Sequence, residues 1–297
     1  MHTLQDFVFW SAPTRLCSFR EQVIAASAGG FTSMAIPPEV FSQAVESGLT
    51  ATDMRHIAED AGVPLRHLDT ATDWTTPRCP PGAPPEMKAR FDIPLQESLR
   101  ICELLRLETI LATGGFPPGS VPLQQQIDGF GRMCEAASGL WIDLEFMPLL
   151  GLSSLEQAWA IVNGANQPNS GLMIDTWHMC RTKADIELLA TIPGERLRSL
   201  QIADGFIEVR GSDMVDDTLY HRAFPGEGEF PINRIVEVLV GKGELVRAGP
   251  EVFSAEANAL TPAAAGARSG ATARRTLSDV GCIVPGTSVG EMSSEKV

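Results

Sequence analysis

Hydrophobic positions form eight short apolar runs, and amphipathic segments separate them. The runs are bounded by glycine, proline and asparagine and lack polar alternation, which is typical of strands buried on both faces. The predicted strands span residues 7–10, 31–36, 64–68, 108–113, 140–146, 171–174, 197–203 and 245–253. Most of the intervening segments repeat apolar residues at helical spacing, as in 93–107, so a helix is predicted after each strand.

Strand and helix alternate eight times without a break in composition, which favours an α/β fold of the closed (β/α)8 type, a TIM barrel, over an open doubly wound sheet. The barrel is predicted to occupy 1–277 as one domain. A closing helix is expected from residue 255 to its end near Leu277. The last stretch, 278–297, is rich in glycine, serine, threonine and charge, so we expect a mobile, disordered tail.

The chain of 297 residues carries a formal net charge of -14. An acidic surface repels phosphate backbones and anionic membranes, so neither nucleic acid nor a membrane is an expected partner. No apolar run approaches the roughly 18 residues that span a bilayer, and the N-terminus lacks a secretory pattern, so a cytoplasmic location is expected. The six cysteines form no C-x-x-C pair and are expected to be reduced. Whether barrels pair into a homo-oligomer stays open.

A polar residue lies at the exit of each of the last four predicted strands. These residues are Glu145, Asp175, Gln201 and Glu251. Because the carboxyl ends of barrel strands share one rim, the four side chains are expected to converge. Three carboxylates and one amide oxygen are hard ligands that suit one divalent ion such as Mn²⁺, Mg²⁺ or Co²⁺. The alternative is that they cap helices or hold loops.

Five further residues are candidates for the site. His178 follows Asp175 by three residues, and Trp74 leaves the third strand before a proline-rich loop or lid. His221 and Arg222 precede a Pro-Gly-Glu-Gly turn and could bind substrate, and Asp204 could orient Gln201 or cap the next segment. Core packing and a solvated loop are the alternatives for Trp74 and for His221 with Arg222.

The sequence lacks the motifs of two common classes of enzyme. No G-x-G-x-x-G follows a predicted strand, so no nucleotide cofactor is expected. The G-x-S-x-G element of serine hydrolases is also absent.

Five short motifs occur in an order that resembles one known superfamily. They are Trp141-Ile-Asp-Leu-Glu145-Phe-Met-Pro148, Asp175-Thr-Trp-His178, Gln201-Ile-Ala-Asp204, Pro225-Gly-Glu-Gly228 and Glu251-Val-Phe-Ser254. The chain resembles the xylose isomerase-like TIM barrels, in the branch of sugar phosphate isomerases/epimerases and endonuclease IV-like barrels. The resemblance covers roughly residues 7–277.

The resemblance implies a function as well as a fold. It makes Glu145, Asp175, Gln201 and Glu251 the metal ligands and places His178 against the substrate. The implied enzyme is a metal-dependent isomerase or epimerase that acts on a sugar or related polyhydroxy carbonyl compound through a metal-stabilised enediolate. Glu145 and Glu251, with His178, would be catalytic.

Departures from the family pattern bear on the reaction. Keto-sugar epimerases of this superfamily usually have histidine as third ligand, an acid six residues after the first ligand and an arginine six after the third. The chain has Gln201, Gly151 and Ile207 there, which argues against a ketohexose 3-epimerase. Glutamine as third ligand resembles the metal-dependent 3-dehydroshikimate dehydratases.

Three functional alternatives are therefore carried forward. The first is the isomerase or epimerase, and the second is a lyase that dehydrates a 3-dehydroshikimate or keto-inositol type of substrate. The third, of another class, is a barrel that binds a small polyol without turnover. Endonuclease IV activity is not expected, because that enzyme binds three metals through many histidines and this chain has five histidines in all.

Overall fold

The computed structural model describes residues 1–286, and eight parallel strands close into a barrel within them. In chain order the strands are β1 (His2–Thr3), β2 (Asp6–Phe9), β3 (Ser33–Ile36), β4 (Leu65–Ala71), β5 (Thr109–Thr113), β6 (Trp141–Glu145), β7 (Ser170–Asp175), β8 (Ser199–Ile202), β9 (Arg247–Pro250) and β10 (Cys282–Ile283). Strands β2 to β9 pair in chain order, and β9 pairs with β2 to close the ring. The predicted TIM barrel is confirmed.

Helices surround the barrel and connect its strands. In chain order they are α1 (Phe19–Ala28), α2 (Pro38–Glu46), α3 (Ala51–Asp60), α4 (Pro85–Phe91), α5 (Leu95–Leu105), α6 (Leu123–Ala136), α7 (Leu155–Ala165), α8 (Thr176–Thr182), α9 (Ile186–Thr191), α10 (Met214–Tyr220), α11 (Ile232–Lys242), α12 (Ala255–Asn258) and α13 (Pro262–Asp279). None of these helices is long and apolar enough to cross a bilayer. The outward faces of the strands and the inward faces of the helices share one apolar cluster.

Each of the eight predicted barrel strands is present, with ends that shift by a few residues. The short helix α2 is additional, because Pro38 occupies the first turn of a helix, where its missing N–H costs nothing. The predicted tail is wrong at its start: α13 continues to Asp279, and β10 pairs in parallel with β1. The remainder of the predicted tail, 287–297, lies outside the described residues.

The interior of the barrel contains a polar layer and an apolar layer below the mouth. At the amino ends of the strands, His67 contacts Asp6 at 3.1 Å and Thr109 at 2.8 Å. In the same end layer, Arg247 donates to Asp143 at 3.0 Å and to Ser199 at 2.7 Å. An apolar layer follows, formed by Val8, Trp10, Ala35, Leu111 and Met173. The carboxyl ends of the strands then carry the acidic side chains of the mouth.

Candidate active site

Four side chains at the carboxyl ends of the strands converge on one point. Glu145 ends β6, Asp175 ends β7, His178 lies in α8, and Glu251 follows β9 directly. One potential ligand atom from each lies within 4.8 Å of the others, and all four residues are buried. We call these four residues the acid cluster. Such a group could hold a divalent metal ion.

Asp175 serves two purposes at once. Its Oδ1 accepts hydrogen bonds from the backbone N–H groups of Trp177 at 2.6 Å and His178 at 3.1 Å, which caps α8. Its Oδ2 points into the acid cluster, 3.8 Å from His178 Nε2. The capping alternative and the site prediction therefore describe different oxygens of one carboxylate.

Gln201 lies beside the acid cluster on β8 and is fully buried. Its Nε2 donates to Glu251 Oε1 at 3.0 Å, whereas its Oε1 has no hydrogen-bond partner among the described residues. The amide is therefore oriented with its donor toward a carboxylate and its acceptor free. All four predicted ligand residues are thus brought to one place.

The electrostatics of the acid cluster follow from burial and from its own charges. Burial raises the pKa of Glu145 well above its ordinary value, and the charges of Glu251 and Asp175 add to the shift. Burial also raises the pKa of Glu251, although Arg222 opposes the change. Burial would raise the pKa of Asp175 too, but His178 and Arg222 outweigh it, and that pKa is lowered. Burial lowers the pKa of His178 to about 4, so the imidazole is neutral at pH 7.

Arg222 is a buried member of the site. Its Nη1 lies 2.8 Å from Asp175 Oδ2 and 3.1 Å from Glu251 Oε2. The guanidinium packs between the rings of Trp177 and Phe253, with centroids 4.8 and 4.9 Å away. When all three carboxyls are ionised, the single charge of Arg222 leaves the acid cluster negative, because His178 is neutral at pH 7.

Several polar atoms of the site have no partner among the described residues. They are Oε1 of Glu145, Oε1 of Gln201, both ring nitrogens of His178 and Nη2 of Arg222. A buried polar atom without a partner costs about 1–3 kcal/mol, so the unpaired oxygens of Glu145 and Gln201 and an imidazole nitrogen of His178 call for a cation, whereas Arg222 Nη2 is a donor. A divalent ion fits these donor atoms, and its charge would offset the excess of carboxylates.

Asp204 fixes the loop that carries Arg222. Its Oδ1 accepts from the N–H groups of Gly205 at 2.8 Å and Phe230 at 3.0 Å, and its Oδ2 accepts from Gly226 at 3.2 Å. It makes no hydrogen bond to Gln201 within 1–286, so the structure favours the second of the two predicted roles, that of capping the segment after β8.

Two of the other candidates lie away from the acid cluster. His221 is partly exposed, and its Nε2 lies 3.7 Å from Asp216. Trp74 is buried, and its indole N–H donates to the carbonyl of Thr113 at 2.8 Å. Its ring packs edge-on against the rings of two phenylalanines. The indole of Trp74 belongs to core packing, so the structure does not support its predicted contact with substrate.

The positions that depart from the epimerase pattern have physical reasons in the fold. A Cβ at Gly151 would lie 2.1 Å from a ring carbon of Phe116, so no acidic side chain fits there. Ile207 is 75% exposed and lies outside the cluster.

Two charged residues at the mouth were not included in the predicted site. Asp69 on β4 is buried, and its Oδ1 lies 2.9 Å from Arg90 Nη2. Arg90 Nη1 donates to Glu39 at 3.0 Å. Asp69 stands at the exit of the third predicted strand, so the rule that found the other four polar residues would have found it.

The closed barrel matches one known family over most of the chain. The model of the xylose isomerase-like TIM barrel family matches residues 23–276. The chain belongs to this family.

Curated relatives in the family are enzymes of more than one class. A 3-dehydroshikimate dehydratase from Pseudomonas aeruginosa is 31% identical over 103 residues, which is 35% of this chain and 16% of that protein. An inosose isomerase from Bacillus subtilis is 30% identical over 133 residues, which is 41% of this chain and 44% of the relative. The matches thus span less than half of either relative.

Solved structures share the whole barrel at low identity. The IolI protein, solved with a bound zinc atom, has a TM-score of 0.77 at 19% identity, covering 93% of this chain and 99% of that one. A D-allulose 3-epimerase from Methylomonas sp. in complex with D-allulose has a TM-score of 0.66 at 15% identity, with coverages of 94% and 98%. At these identities the likeness establishes the fold.

Proposed function

We propose that the chain is a divalent-metal-dependent enzyme that isomerises or epimerises a sugar or related polyhydroxy carbonyl compound. The observation that carries the proposal is the acid cluster, in which Glu145 Oε1 and both ring nitrogens of His178 have no partner within 1–286, beside the equally unpartnered Oε1 of Gln201. Glu145, Asp175, Gln201 through its Oε1, and Glu251 would hold the ion. Mn²⁺, Mg²⁺ and Co²⁺ suit these oxygen donors.

The chemistry requires a proton to leave a carbon next to a carbonyl group. A bound divalent ion would polarise that carbonyl and stabilise the enediolate. Glu145 on β6 and the residue after β9, Glu251, approach the substrate from different strands, so one can remove the proton and the other can return one. Their mutual repulsion and burial favour sharing of protons between them.

His178 and Arg222 would orient the substrate. The imidazole of His178 is neutral at pH 7, so one ring nitrogen can donate to a substrate hydroxyl and the other can accept. Arg222 has a guanidinium nitrogen without a partner beside the same cluster and could donate to a substrate oxygen. His178 could also deliver a proton to a departing hydroxyl.

Dehydration is the second candidate, and a specific observation favours it. Gln201 occupies the position of the third ligand, as the resemblance to 3-dehydroshikimate dehydratases implies, and such an enzyme from P. aeruginosa is 31% identical over 103 residues. A hydroxyl on the carbon beside the enediolate would then leave, and no proton would return to the carbon that lost one.

One experiment separates the candidates. The protein loaded with Mn²⁺ is incubated in D₂O with keto sugars, keto-inositols and 3-dehydroshikimate. We expect deuterium in recovered substrate or in an isomer, read by mass spectrometry and NMR. A conjugated or aromatic product supports the dehydratase, and neither outcome from any compound would leave the barrel as a polyol-binding protein.

The control is Glu251→Gln, which keeps the size of the side chain and removes its charge. Loss of exchange is expected, because the variant lacks a base and an anionic ligand. Full exchange in Glu251→Gln would contradict the assigned role.

A further inference from the structure

The mouth of the barrel has a second charged group opposite the acid cluster. Asp69 lies on β4, which stands four strands from β8 in the ring of eight, and β8 carries Gln201. His67 points into the barrel, where it contacts Asp6, and strand residues alternate in direction, so Asp69 also faces inward, one level nearer the mouth. Asp69 therefore faces the substrate space from the other side.

The charge of Asp69 reaches the acid cluster. Burial is the main cause of the raised pKa of Glu145, and Asp69 is among the charges that raise it further. The same holds for Glu251, where Arg222 opposes and Asp69 adds to the rise. Asp69 is 3% exposed, which matches the 4% of Glu145 and of Glu251. It is thus as buried as the two glutamates of the acid cluster.

Asp69 is held by a chain of charges from three elements. Arg90 on α4 approaches Asp69 at 2.9 Å and Glu39 on α2 at 3.0 Å. Within 1–286, no hydrogen bond from any other group reaches the Asp69 carboxylate. Oδ2 of Asp69 is therefore free to accept, and the remaining N–H groups of Arg90 are free to donate.

The net charge of Asp69, Arg90 and Glu39 together limits what they can bind. Two carboxylates, Asp69 and Glu39, stand against the single positive charge of Arg90, so the group is negative and disfavours a carboxylate or phosphate. An ionised carboxylate accepts hydrogen bonds only, and sugar hydroxyls are donors of the matching kind. We propose that Asp69, positioned by Arg90, binds a hydroxyl at the end of the substrate remote from the acid cluster and so selects a neutral polyol end. This inference rests on the proposed function.

The test uses three probes that differ at one end only. D-xylulose, 5-deoxy-D-xylulose and D-xylulose 5-phosphate are titrated into the Mn²⁺-loaded protein by calorimetry. We expect the wild type to prefer D-xylulose, and Asp69→Ala to bind it about 10- to 100-fold more weakly, the worth of one charged hydrogen bond. Deleting the hydroxyl should weaken binding to the wild type but not to Asp69→Ala.

Arg90 is tested as a positioning residue. Arg90→Met should weaken D-xylulose binding in the same way, and Arg90→Lys should restore part of it, because lysine keeps the charge. Asp92→Ala is the matched control: Asp92 directly follows α4, is paired with Arg78 at 2.6 Å and is half exposed. It should bind D-xylulose as the wild type does.

Each contrary outcome is defined. The inference would be overturned if the wild type and Asp69→Ala bound D-xylulose equally, or if deleting the hydroxyl weakened binding to both proteins equally. A preference for the phosphate, or no binding of any probe, would overturn it as well. Metal content and melting temperature of each variant show whether folding or the ion was lost. Deuterium exchange on the wider panel tests the proposed function separately, so the two can fail independently.

Discussion

Metal binding at the acid cluster should release protons. When Glu145, Asp175 and Glu251 are ionised, Arg222 leaves two negative charges uncompensated. The raised pKa values of Glu145 and Glu251 mean that the metal-free protein retains part of those protons. A divalent ion replaces them. At pH 6 we expect proton release, of at most two protons per ion, with fewer released as the pH rises.

The raised pKa values of Glu145 and Glu251 also determine how the stability of the metal-free protein changes with pH. A carboxyl whose folded pKa exceeds its unfolded value, here 4.5, favours the folded state below pH 4.5 and loses that contribution as the pH rises through the folded pKa. The metal-free protein should therefore lose this contribution above pH 4.5, and the ion should restore stability there. At a free concentration 100 times the Kd, the ion adds about 2.7 kcal/mol. For this chain length that corresponds to a rise in Tm of about 4 °C.

The assay is calorimetric titration of chelator-treated protein with Mn²⁺ at pH 6, 7 and 8, in buffers of different ionisation enthalpy. Glu251→Gln should bind the ion more than about tenfold more weakly and release fewer protons, because it lacks one carboxylate. Glu187→Gln is the control, since the side chain of Glu187 is 84% exposed. Binding without proton release at pH 6, unchanged in Glu251→Gln, would refute the reasoning.

Three further predictions concern the barrel, each measured by urea unfolding. Leu200→Ala should lower the free energy of unfolding by about 2–5 kcal/mol, because Leu200 is fully buried; a loss below 1 kcal/mol would contradict its packing. Gly249→Ala should cost more than Leu200→Ala, since its Cβ would lie 1.8 Å from the carbonyl of Val8 across the β2–β9 seam; wild-type stability would rule out that seam. Arg247→Met should cost about 3–5 kcal/mol by leaving Asp143 unpaired, and Arg247→Lys should cost less.

The fold was predictable because the spacing of apolar residues along the chain follows which side chains are buried. The barrel strands are almost entirely buried on both faces, and each exit is marked by glycine, proline or a polar residue. The pairing of β1 with β10 was not predictable, since two residues each carry no periodic signal and their contact spans the whole chain. The same contact is why the predicted tail began too early.

The site was predictable where one residue marks one strand end. Glu145, Asp175, Gln201 and Glu251 obey that rule, and the structure brings them together. Arg222 lies on a long loop, and its guanidinium turns inward to contact Asp175 and Glu251. Sequence spacing carries no such information about loop conformation.

The apolar layer formed by Val8, Trp10, Ala35, Leu111 and Met173 separates two sets of charges within one barrel. It keeps the ion pairs of the closed end out of hydrogen-bonding reach of the acids that line the open end. Carboxylates and glutamine at the mouth can therefore be exchanged over evolutionary time without unsettling the Arg247–Asp143 pair below.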